Sequence, residues 1–209
     1  MIFIDVLTRA SWAFLLGSIP TAFIFGMMKG IDIRKVGSGN IGATNVSRTM
    51  GLFFGLLVLL IDVFKGYIVV NLFPPLFEYS YGHDWVKVIL GFSVIAGHIW
   101  TPFLGFKGGK GVATSLGVLI AITPSLALLG AGAFIVLFLF SGFYVSIGSM
   151  GSVLMVAFLA FYHNYPKPII ALACVIAVIV WIRHVENWKR IIMGTEKPLT
   201  FRRNQEEKK

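Results

Sequence analysis

Long apolar stretches separated by short polar segments dominate the pattern of this chain. An α-helix needs about 20 apolar residues to cross the hydrocarbon layer of a bilayer. The pattern therefore predicts an all-α, polytopic membrane bundle of about seven transmembrane helices, in a single domain over residues 1–196, followed by a solvated tail at 197–209. The candidate spans are 4–28, 51–73, 86–104, 113–124, 125–140, 143–163 and 168–185.

The middle of this series is ambiguous. Residues 112–140 form either one helix that is kinked at Thr123–Pro124 or two short helices, because a proline inside a helix removes a hydrogen bond. Hydropathy alone leaves both arrangements open. The first apolar run is long and no small-x-small cleavage site follows it, so we interpret it as a retained span rather than a signal peptide.

Composition and charge support a membrane protein and predict its orientation. The chain is 57% hydrophobic and 13% charged, and its 18 Lys+Arg against 9 Asp+Glu give a net charge of +9. Positive charges concentrate on cytoplasmic loops. Loop 29–50, the lysines at 107 and 110 and the basic C-terminal tail are therefore predicted to be cytoplasmic, with the N-terminus outside. Four crossings after Lys110 satisfy this parity, and three do not.

The remaining features carry less information. The loops at 72–84 and 162–168 are predicted to lie outside, where their aromatic residues suit the membrane interface. His83 and His163 fall in these loops and are weak candidates for function. The single cysteine, Cys174, excludes a disulfide within the chain, and we expect it to fill space as a small apolar residue.

Three polar clusters fall on the same predicted face of the membrane. They are VGSGNIGATNVSR (36–48), GHIWTPFLGFKGGKGVATS (97–115) and RHVENWKR (183–190). Unrelated loops would scatter their polar residues over both faces. The clustering therefore predicts one shared site.

The first cluster combines glycines with hydroxyl, amide and guanidinium donors. Glycine lets the backbone approach a ligand closely, and successive backbone N–H groups in such a turn form an anion-binding nest. Arg48 can form paired hydrogen bonds with a phosphate. An ordinary flexible loop with one arginine is an equally good interpretation of this motif alone. Its candidate site residues are Ser38, Gly39, Asn40, Thr44, Asn45 and Arg48.

The second cluster has the same chemistry with more positive charge. A helix begins near Val112, so its N-terminal amides add attraction for an anion. The pattern is not a Walker A loop, because Leu104 and Gly111 stand where that motif requires glycine and Ser/Thr. The alternative to an anion site is that the two lysines of this loop only extend toward the membrane edge. The candidates are Lys107, Gly108, Gly109, Lys110 and Gly111.

The third cluster continues the last predicted helix. His184 and Asn187 share a helical face, although much of this segment could form surface ion pairs. Ser146 can extend the site or pack helices closely. Asp62 and Lys65 lie a helical turn apart within a predicted span and are expected to pair or to extend toward the membrane edge. Charges at that depth are costly and face the protein interior.

The clusters together contain many anion donors and few acids or bases. The sequence has no HExxH zinc motif, no Gly-x-Ser-x-Gly elbow and no aspartate cluster for magnesium. We therefore predict no metal and no cofactor. Such a site suits substrates that arrive already activated and anionic, which the protein only positions and stabilises electrostatically. A transporter of phosphate-bearing anions is the alternative function.

The motifs GSGNIGATNVSR, GHIWTPFLGFKGGKG and HVEN closely resemble the three signatures of the PlsY-type, acyl-phosphate-dependent glycerol-3-phosphate acyltransferases of bacteria. The resemblance covers nearly the whole chain. It implies a seven-helix inner-membrane enzyme with a cytoplasmic site, which transfers an acyl group from a long-chain acyl phosphate to the 1-hydroxyl of glycerol 3-phosphate. Lysophosphatidic acid and phosphate are the implied products. Membrane lipids are expected partners and nucleic acid is not; the oligomeric state is left open, a monomer included.

The resemblance also implies roles for individual residues. Ser38, Arg48 and Lys107 would bind glycerol 3-phosphate or bridge both phosphates. The glycine-rich loop would hold the acyl phosphate, and a polar wall would complete the site. No histidine is followed by aspartate five positions later, so the chain lacks the His-x4-Asp pair of thioester-dependent acyltransferases. The wall residues are Asn45, Ser146, His184 and Asn187.

Overall fold

The computed structural model describes residues 2–72 and 83–199, and these residues form helices and connecting loops without a β-strand. The prediction of an all-α fold is confirmed for this part of the chain. A short 3-10 helix spans Pro102–Leu104. The ten α-helices of the described residues are α1 Ile2–Gly17, α2 Thr21–Met28, α3 Ala43–Met50, α4 Leu52–Leu72, α5 His83–Ile99, α6 Val112–Ile122, α7 Pro124–Phe140, α8 Val145–Tyr162, α9 Lys167–Arg183 and α10 Val185–Ile192.

Four helical stretches in the described residues are long and apolar enough to cross a membrane. A fifth results if α9 and α10, which meet at a bend of 54°, count as one span. Large apolar side chains cover the outer surface, such as Phe53 at 68% exposure and Phe140 at 89%, which is typical of a surface that faces lipid. The total of seven spans and the orientation stay predictions. The four stretches are Phe3–Met28, Leu52–Leu72, Asp84–Leu104 and Val145–Tyr162.

The structure answers the question that hydropathy leaves open in the middle of the chain. Two helices, α6 and α7, occupy this region and separate at Thr123–Pro124. Thr123 has φ −143° and ψ 82°, because the ring of Pro124 disfavours the helical conformation for the residue before it. Pro124 then begins α7, where its missing N–H costs nothing.

Glycines let the central helices approach one another closely. A Cβ atom at Gly66 on α4 would lie 2.2 Å from the carbonyl oxygen of Thr114 on α6. A Cβ atom at Gly117 on α6 would lie 1.9 Å from the carbonyl oxygen of Val63 on α4. Small residues at such crossings allow backbones to pack directly in membrane proteins. This contact fixes α6 against α4, and α6 begins at the glycine-rich loop.

The less informative segments and residues of the sequence lie outside the described residues or on the protein surface. Most of the predicted outside loop 72–84, the side chain of His83 and residues 200–209 of the predicted tail lie outside the described residues. His163 caps the C-terminal end of α8 and is exposed. Cys174 lies within α9 but is exposed on the outer surface, so it does not fill space in the protein interior as expected.

Candidate active site

A cavity of about 350 Å³ lies where the three polar clusters meet. It is bounded by the loop before α3, by α3 itself, by the N-terminal half of α6, and by α7, α8 and the α9–α10 corner. The structure thus brings together most of the site residues predicted from the sequence. Those that line the cavity are Ser38, Asn40, Thr44, Asn45, Arg48, Lys110, Gly111, Ser146, His184 and Asn187.

The cavity has a polar end and an apolar arm. The polar end contains the residues just named together with Glu196. The arm runs between α6, α7 and α8, and small residues on α7 leave room within it. A cavity of this kind suits a ligand with a charged head and a hydrocarbon tail. The apolar residues of the arm are Leu116 and Leu119 on α6, Ala127, Gly130, Ala131, Phe134 and Ile135 on α7, Val153 and Val156 on α8, and Ile176 on α9.

Asn45 organises the first polar loop. Its side chain is 1% exposed, and its Oδ1 accepts a hydrogen bond from the Ser38 backbone N–H at 2.9 Å. Its Nδ2 donates to the carbonyl oxygens of Ile33 and Val36, each at 3.1 Å. Both amide protons are therefore used within the protein. The geometry supports a role for Asn45 in shaping the loop that presents Ser38, although Asn45 also lines the cavity.

Arg48 on α3 lies at the edge of the polar end. Its Nη2 donates to the carbonyl oxygen of Lys197. Its Nε is buried and has no hydrogen-bond partner among the described residues. Burial lowers the pKa of Arg48, but a guanidinium stays protonated at physiological pH. Arg48 therefore supplies a fixed positive charge with an unused donor.

Lys110, Asn187, Glu196 and Arg190 form one chain of hydrogen bonds. Lys110 Nζ donates to Asn187 Oδ1, and Asn187 Nδ2 donates to Glu196 Oε1 at 2.7 Å. Arg190 Nε donates to Glu196 Oε2 at 2.6 Å. Ser146 Oγ donates to the same carboxylate at 3.3 Å. The chain fixes the ammonium of Lys110 at the cavity wall.

Glu196 is the residue that the sequence analysis missed. It belongs to none of the three motifs, and it reaches the site because residues 194–199 fold back over it. Leu199 N–H donates to the Phe143 carbonyl oxygen at 2.9 Å, which ties this segment to the α7–α8 turn. The one available signal is its charge: Glu196 is an acidic residue close to a strongly basic segment, and nothing in its local pattern indicates contact with α8.

His184 lies at the corner between α9 and α10 and is 3% exposed. Its Nδ1 lies 2.8 Å from the carbonyl oxygen of Val180, which can only accept a hydrogen bond. Nδ1 therefore carries a proton, and in the neutral ring Nε2 has the free lone pair. His184 can accept a hydrogen bond or a proton at the cavity wall.

Four predicted site residues do not line the cavity: Gly39, Lys107, Gly108 and Gly109. The side chain of Lys107 is exposed on the loop. The N–H groups of Gly108 and Gly109 donate to the carbonyl oxygens of Ile99 and His98, at 2.9 and 3.1 Å. These two amides are thus already used, and Lys110 is the lysine of this loop that reaches the cavity.

Metal ligands do not cluster in the part of the chain that the structure describes, where no group of three or more His, Cys, Asp or Glu side chains could hold an ion. The polar end instead gathers cations and hydrogen-bond donors around one carboxylate. Such a group can bind anionic oxygens directly, through charge-assisted hydrogen bonds.

Comparison with known proteins assigns a family to this arrangement. The family model described as glycerol-3-phosphate acyltransferase matches residues 7–194. The glycerol-3-phosphate acyltransferase of Aquifex aeolicus is 41% identical over 187 residues, which cover 88% of this chain and 94% of that protein. That of Geobacter sulfurreducens is 43% identical over 185 residues, which cover 88% of this chain and 92% of that protein.

Solved structures agree with these sequence relatives. The glycerol 3-phosphate form of PlsY (YgiH), an integral membrane glycerol 3-phosphate acyltransferase, is 39% identical with a TM-score of 0.86, covering 93% of this chain and 96% of that one. The lysophosphatidic acid form is 38% identical with a TM-score of 0.83, covering 94% and 96%. This chain is thus a multi-pass membrane protein that belongs to the glycerol-3-phosphate acyltransferase family.

Proposed function

We propose that this protein transfers a fatty acyl group from acyl phosphate to the 1-hydroxyl of glycerol 3-phosphate, which gives lysophosphatidic acid and phosphate. The observation that carries this proposal is the continuity of the cavity. A polar end with fixed cations opens directly into an apolar arm, so one cavity can hold a phosphate head group and an acyl chain together.

The polar end suits two phosphates at once. Both substrates carry a phosphate, and bringing them together requires that their repulsion be screened. Lys110 and Arg48 both line this end and provide positive charge, Lys110 from the glycine-rich loop before α6 and Arg48 from α3. Ser38, Asn40, Thr44, Ser146 and Asn187 add hydroxyl and amide groups around the same space. Preorganised donors of this kind stabilise charge that develops during reaction.

The apolar arm suits the acyl chain of the donor and of the product. Its Leu, Val, Ile and Phe side chains cannot form hydrogen bonds with a polar ligand. With the chain seated there, the reacting carbonyl would lie at the junction between the arm and the polar end. When binding holds both substrates in place, much of the entropic cost is removed from the chemical step.

In the proposed reaction, the 1-hydroxyl oxygen of glycerol 3-phosphate attacks the carbonyl carbon of acyl phosphate. A C–O ester bond forms, and the bond between the carbonyl carbon and the phosphate oxygen breaks. The leaving phosphate has basic oxygens and accepts the hydroxyl proton, so the protein needs neither a covalent acyl intermediate nor a strong base. The protein's part is to hold both anions and to stabilise the transition state.

The relatives support the substrate and the product. The two PlsY structures are described as forms with glycerol 3-phosphate and with lysophosphatidic acid. We propose that this chain binds the same ligands, because residues from all three polar clusters line one cavity. Lys107 is still proposed to bind phosphate, although its side chain is exposed on the loop beside the cavity.

The proposed setting is the bacterial inner membrane, with the site on the cytoplasmic face. The polar end is built from the loop before α3, the glycine-rich loop and the α9–α10 corner. The positive charges of these segments predict that they lie on the cytoplasmic side. Seven spans, with the N-terminus outside and the C-terminus inside, satisfy this placement.

The first prediction concerns the donor. Purified protein should form labelled lysophosphatidate from palmitoyl phosphate and labelled glycerol 3-phosphate, while palmitoyl-CoA should not replace the donor. Lys110→Met serves as the matched control, because it removes the ammonium and keeps a chain of similar length. Turnover with palmitoyl-CoA but not with palmitoyl phosphate would contradict the proposal.

The second prediction concerns the charge of Lys110. Burial lowers the pKa of Lys110 to about 8, against the opposing effect of Glu196. The cationic form, which binds phosphate, is therefore lost as the pH rises through about 8, and kcat/KM should fall with it. Lys110→Arg keeps its charge, so its remaining activity should lack this alkaline decline. The same decline in both proteins would rule out Lys110 as its source.

The third prediction concerns His184. If the leaving phosphate accepts the proton, His184→Ala should raise KM or lower kcat modestly, because only a positioning contact is lost. General acid–base catalysis contributes up to about 10⁴-fold. A kcat loss of that size at saturating substrates would instead identify His184 as the base. His163→Ala, at an exposed histidine outside the cavity, is the control.

A further inference from the structure

Three ionisable side chains form a buried cluster beside the cavity. Lys65 Nζ lies 2.8 Å from Asp62 Oδ1 and 2.9 Å from His98 Nδ1, and it also donates to the Ile19 carbonyl oxygen at 3.3 Å. Thr21 Oγ1 donates to Asp62 Oδ1 at 3.1 Å. All three ammonium protons of Lys65 thus have a partner. The cluster joins α4 and α5 to the break between α1 and α2.

Neither the polar end nor the proposed reaction uses this cluster. Asp62, Lys65 and His98 are 2%, 8% and 9% exposed, within helices that are surrounded by apolar residues. Ionisable groups at such depth are costly and are usually retained for a function. Asp62 and His98 contribute to the wall of the cavity and also to a small neighbouring cavity that Gly108 and Gly109 line.

His98 connects the cluster to the glycine-rich loop. Its backbone carbonyl oxygen accepts the N–H of Gly109 at 3.1 Å, and the next carbonyl, of Ile99, accepts the N–H of Gly108 at 2.9 Å. The imidazole packs against the same dipeptide, since a Cβ atom at Gly109 would lie 2.1 Å from His98 Nε2. Only glycine fits between this ring and the chain.

Arg183 holds the dipeptide from the other side. Its Nη2 donates to the carbonyl oxygens of Gly108 and Gly109 at 3.0 and 3.2 Å. Both N–H groups and both carbonyl groups of the dipeptide are therefore used. Lys110 follows directly, and Gly111, at φ +86°, is the N-cap of α6. Displacement of the dipeptide would move the ammonium of Lys110.

We propose that Asp62, Lys65 and His98 are positioning residues that hold Gly108–Gly109 in place and so direct Lys110 into the cavity. Lys65 donates to His98 Nδ1 and thereby fixes the rotation of the ring, while Asp62 holds Lys65. The activity measurement below rests on the proposed function, whereas the measurement of loop mobility does not.

A purely structural ion pair is the competing explanation, and the two make different predictions. When a buried ion pair only fills space, replacing both partners by apolar side chains is often neutral or stabilising. If the cluster positions the loop, the same replacement leaves the fold intact but frees His98 and the dipeptide. Asp62→Leu combined with Lys65→Met separates these cases.

The test uses the full-length protein with two substitutions at His98. His98→Phe keeps a ring but cannot accept from Lys65, whereas the amide oxygen of His98→Asn can. A spin label on a cysteine in place of Phe106, in a Cys174→Ala background, reports the mobility of the loop. A label in place of Phe140, an exposed residue at the end of α7 that does not line the cavity, is the matched control.

We expect His98→Phe to lower kcat/KM for glycerol 3-phosphate on the order of 10- to 100-fold, mainly through KM, because small displacements of a positioning group have effects of this size. The label at 106 should become more mobile and the label at 140 should not. His98→Asn should recover part of both losses. The Asp62→Leu/Lys65→Met variant should behave like His98→Phe with an unchanged melting temperature.

Wild-type kinetics together with unchanged label mobility in His98→Phe would overturn the proposal. If that variant does not fold, the double variant decides: full activity and a rigid loop overturn the proposal, and a folded protein with a mobile loop supports it. Wild-type protein that makes no lysophosphatidate would refute the proposed function instead, and the label at 106 would still test the positioning role.

Discussion

The whole site depends on one buried carboxylate that holds several cations close together. Glu196 accepts hydrogen bonds from Arg190 and Asn187, and through Asn187 it is linked to Lys110. Burial opposes ionisation of this group, but the hydrogen bonds from Arg190 and Asn187 and the nearby positive charges lower the pKa of Glu196. It therefore stays ionised and offsets the repulsion between neighbouring cations. The unused donor of Arg48 stays available for an anionic ligand.

The membrane environment explains why the polar groups are so heavily interconnected. Hydrocarbon surroundings penalise unsatisfied polar groups, so most charged side chains there have a partner inside the protein. The cluster around Asp62 and Lys65 obeys this rule, as does the chain from Lys110 to Arg190. The outer surface carries apolar side chains, and the cavity is the place where apolar and polar linings meet.

Local patterns in the sequence predicted much of this arrangement. The all-α fold and the convergence of three polar clusters followed from hydropathy, charge and glycine spacing, and pairing was one of the two alternatives for Asp62 and Lys65. The number of spans and the orientation rest on charge parity and stay predictions. At Thr123–Pro124 the sequence allowed either one kinked helix or two helices. The structure has two, α6 and α7, and α6 packs against α4.

Long-range contacts account for what the sequence could not predict. Glu196 enters the site through a reversal of the chain at Gly194, where φ is +67°, and no periodicity signals that return. The two lysines of the glycine-rich loop look equivalent in sequence, yet Lys110 reaches the cavity and Lys107 is exposed, because Gly108 and Gly109 pair with the end of α5. The apolar arm likewise forms only when side chains from α6, α7, α8 and α9 pack around one space.

The central claim is that one cavity holds the anionic head and the hydrocarbon tail of the same ligand. A non-hydrolysable acyl phosphonate with a photoreactive group at the end of its chain tests this claim most directly. After irradiation, we expect crosslinks within α7 or α8, at the arm residues near Phe134 and Val156, and we expect their loss when Lys110 is replaced by methionine. Crosslinks spread over the lipid-facing surface, with no dependence on Lys110, would contradict it.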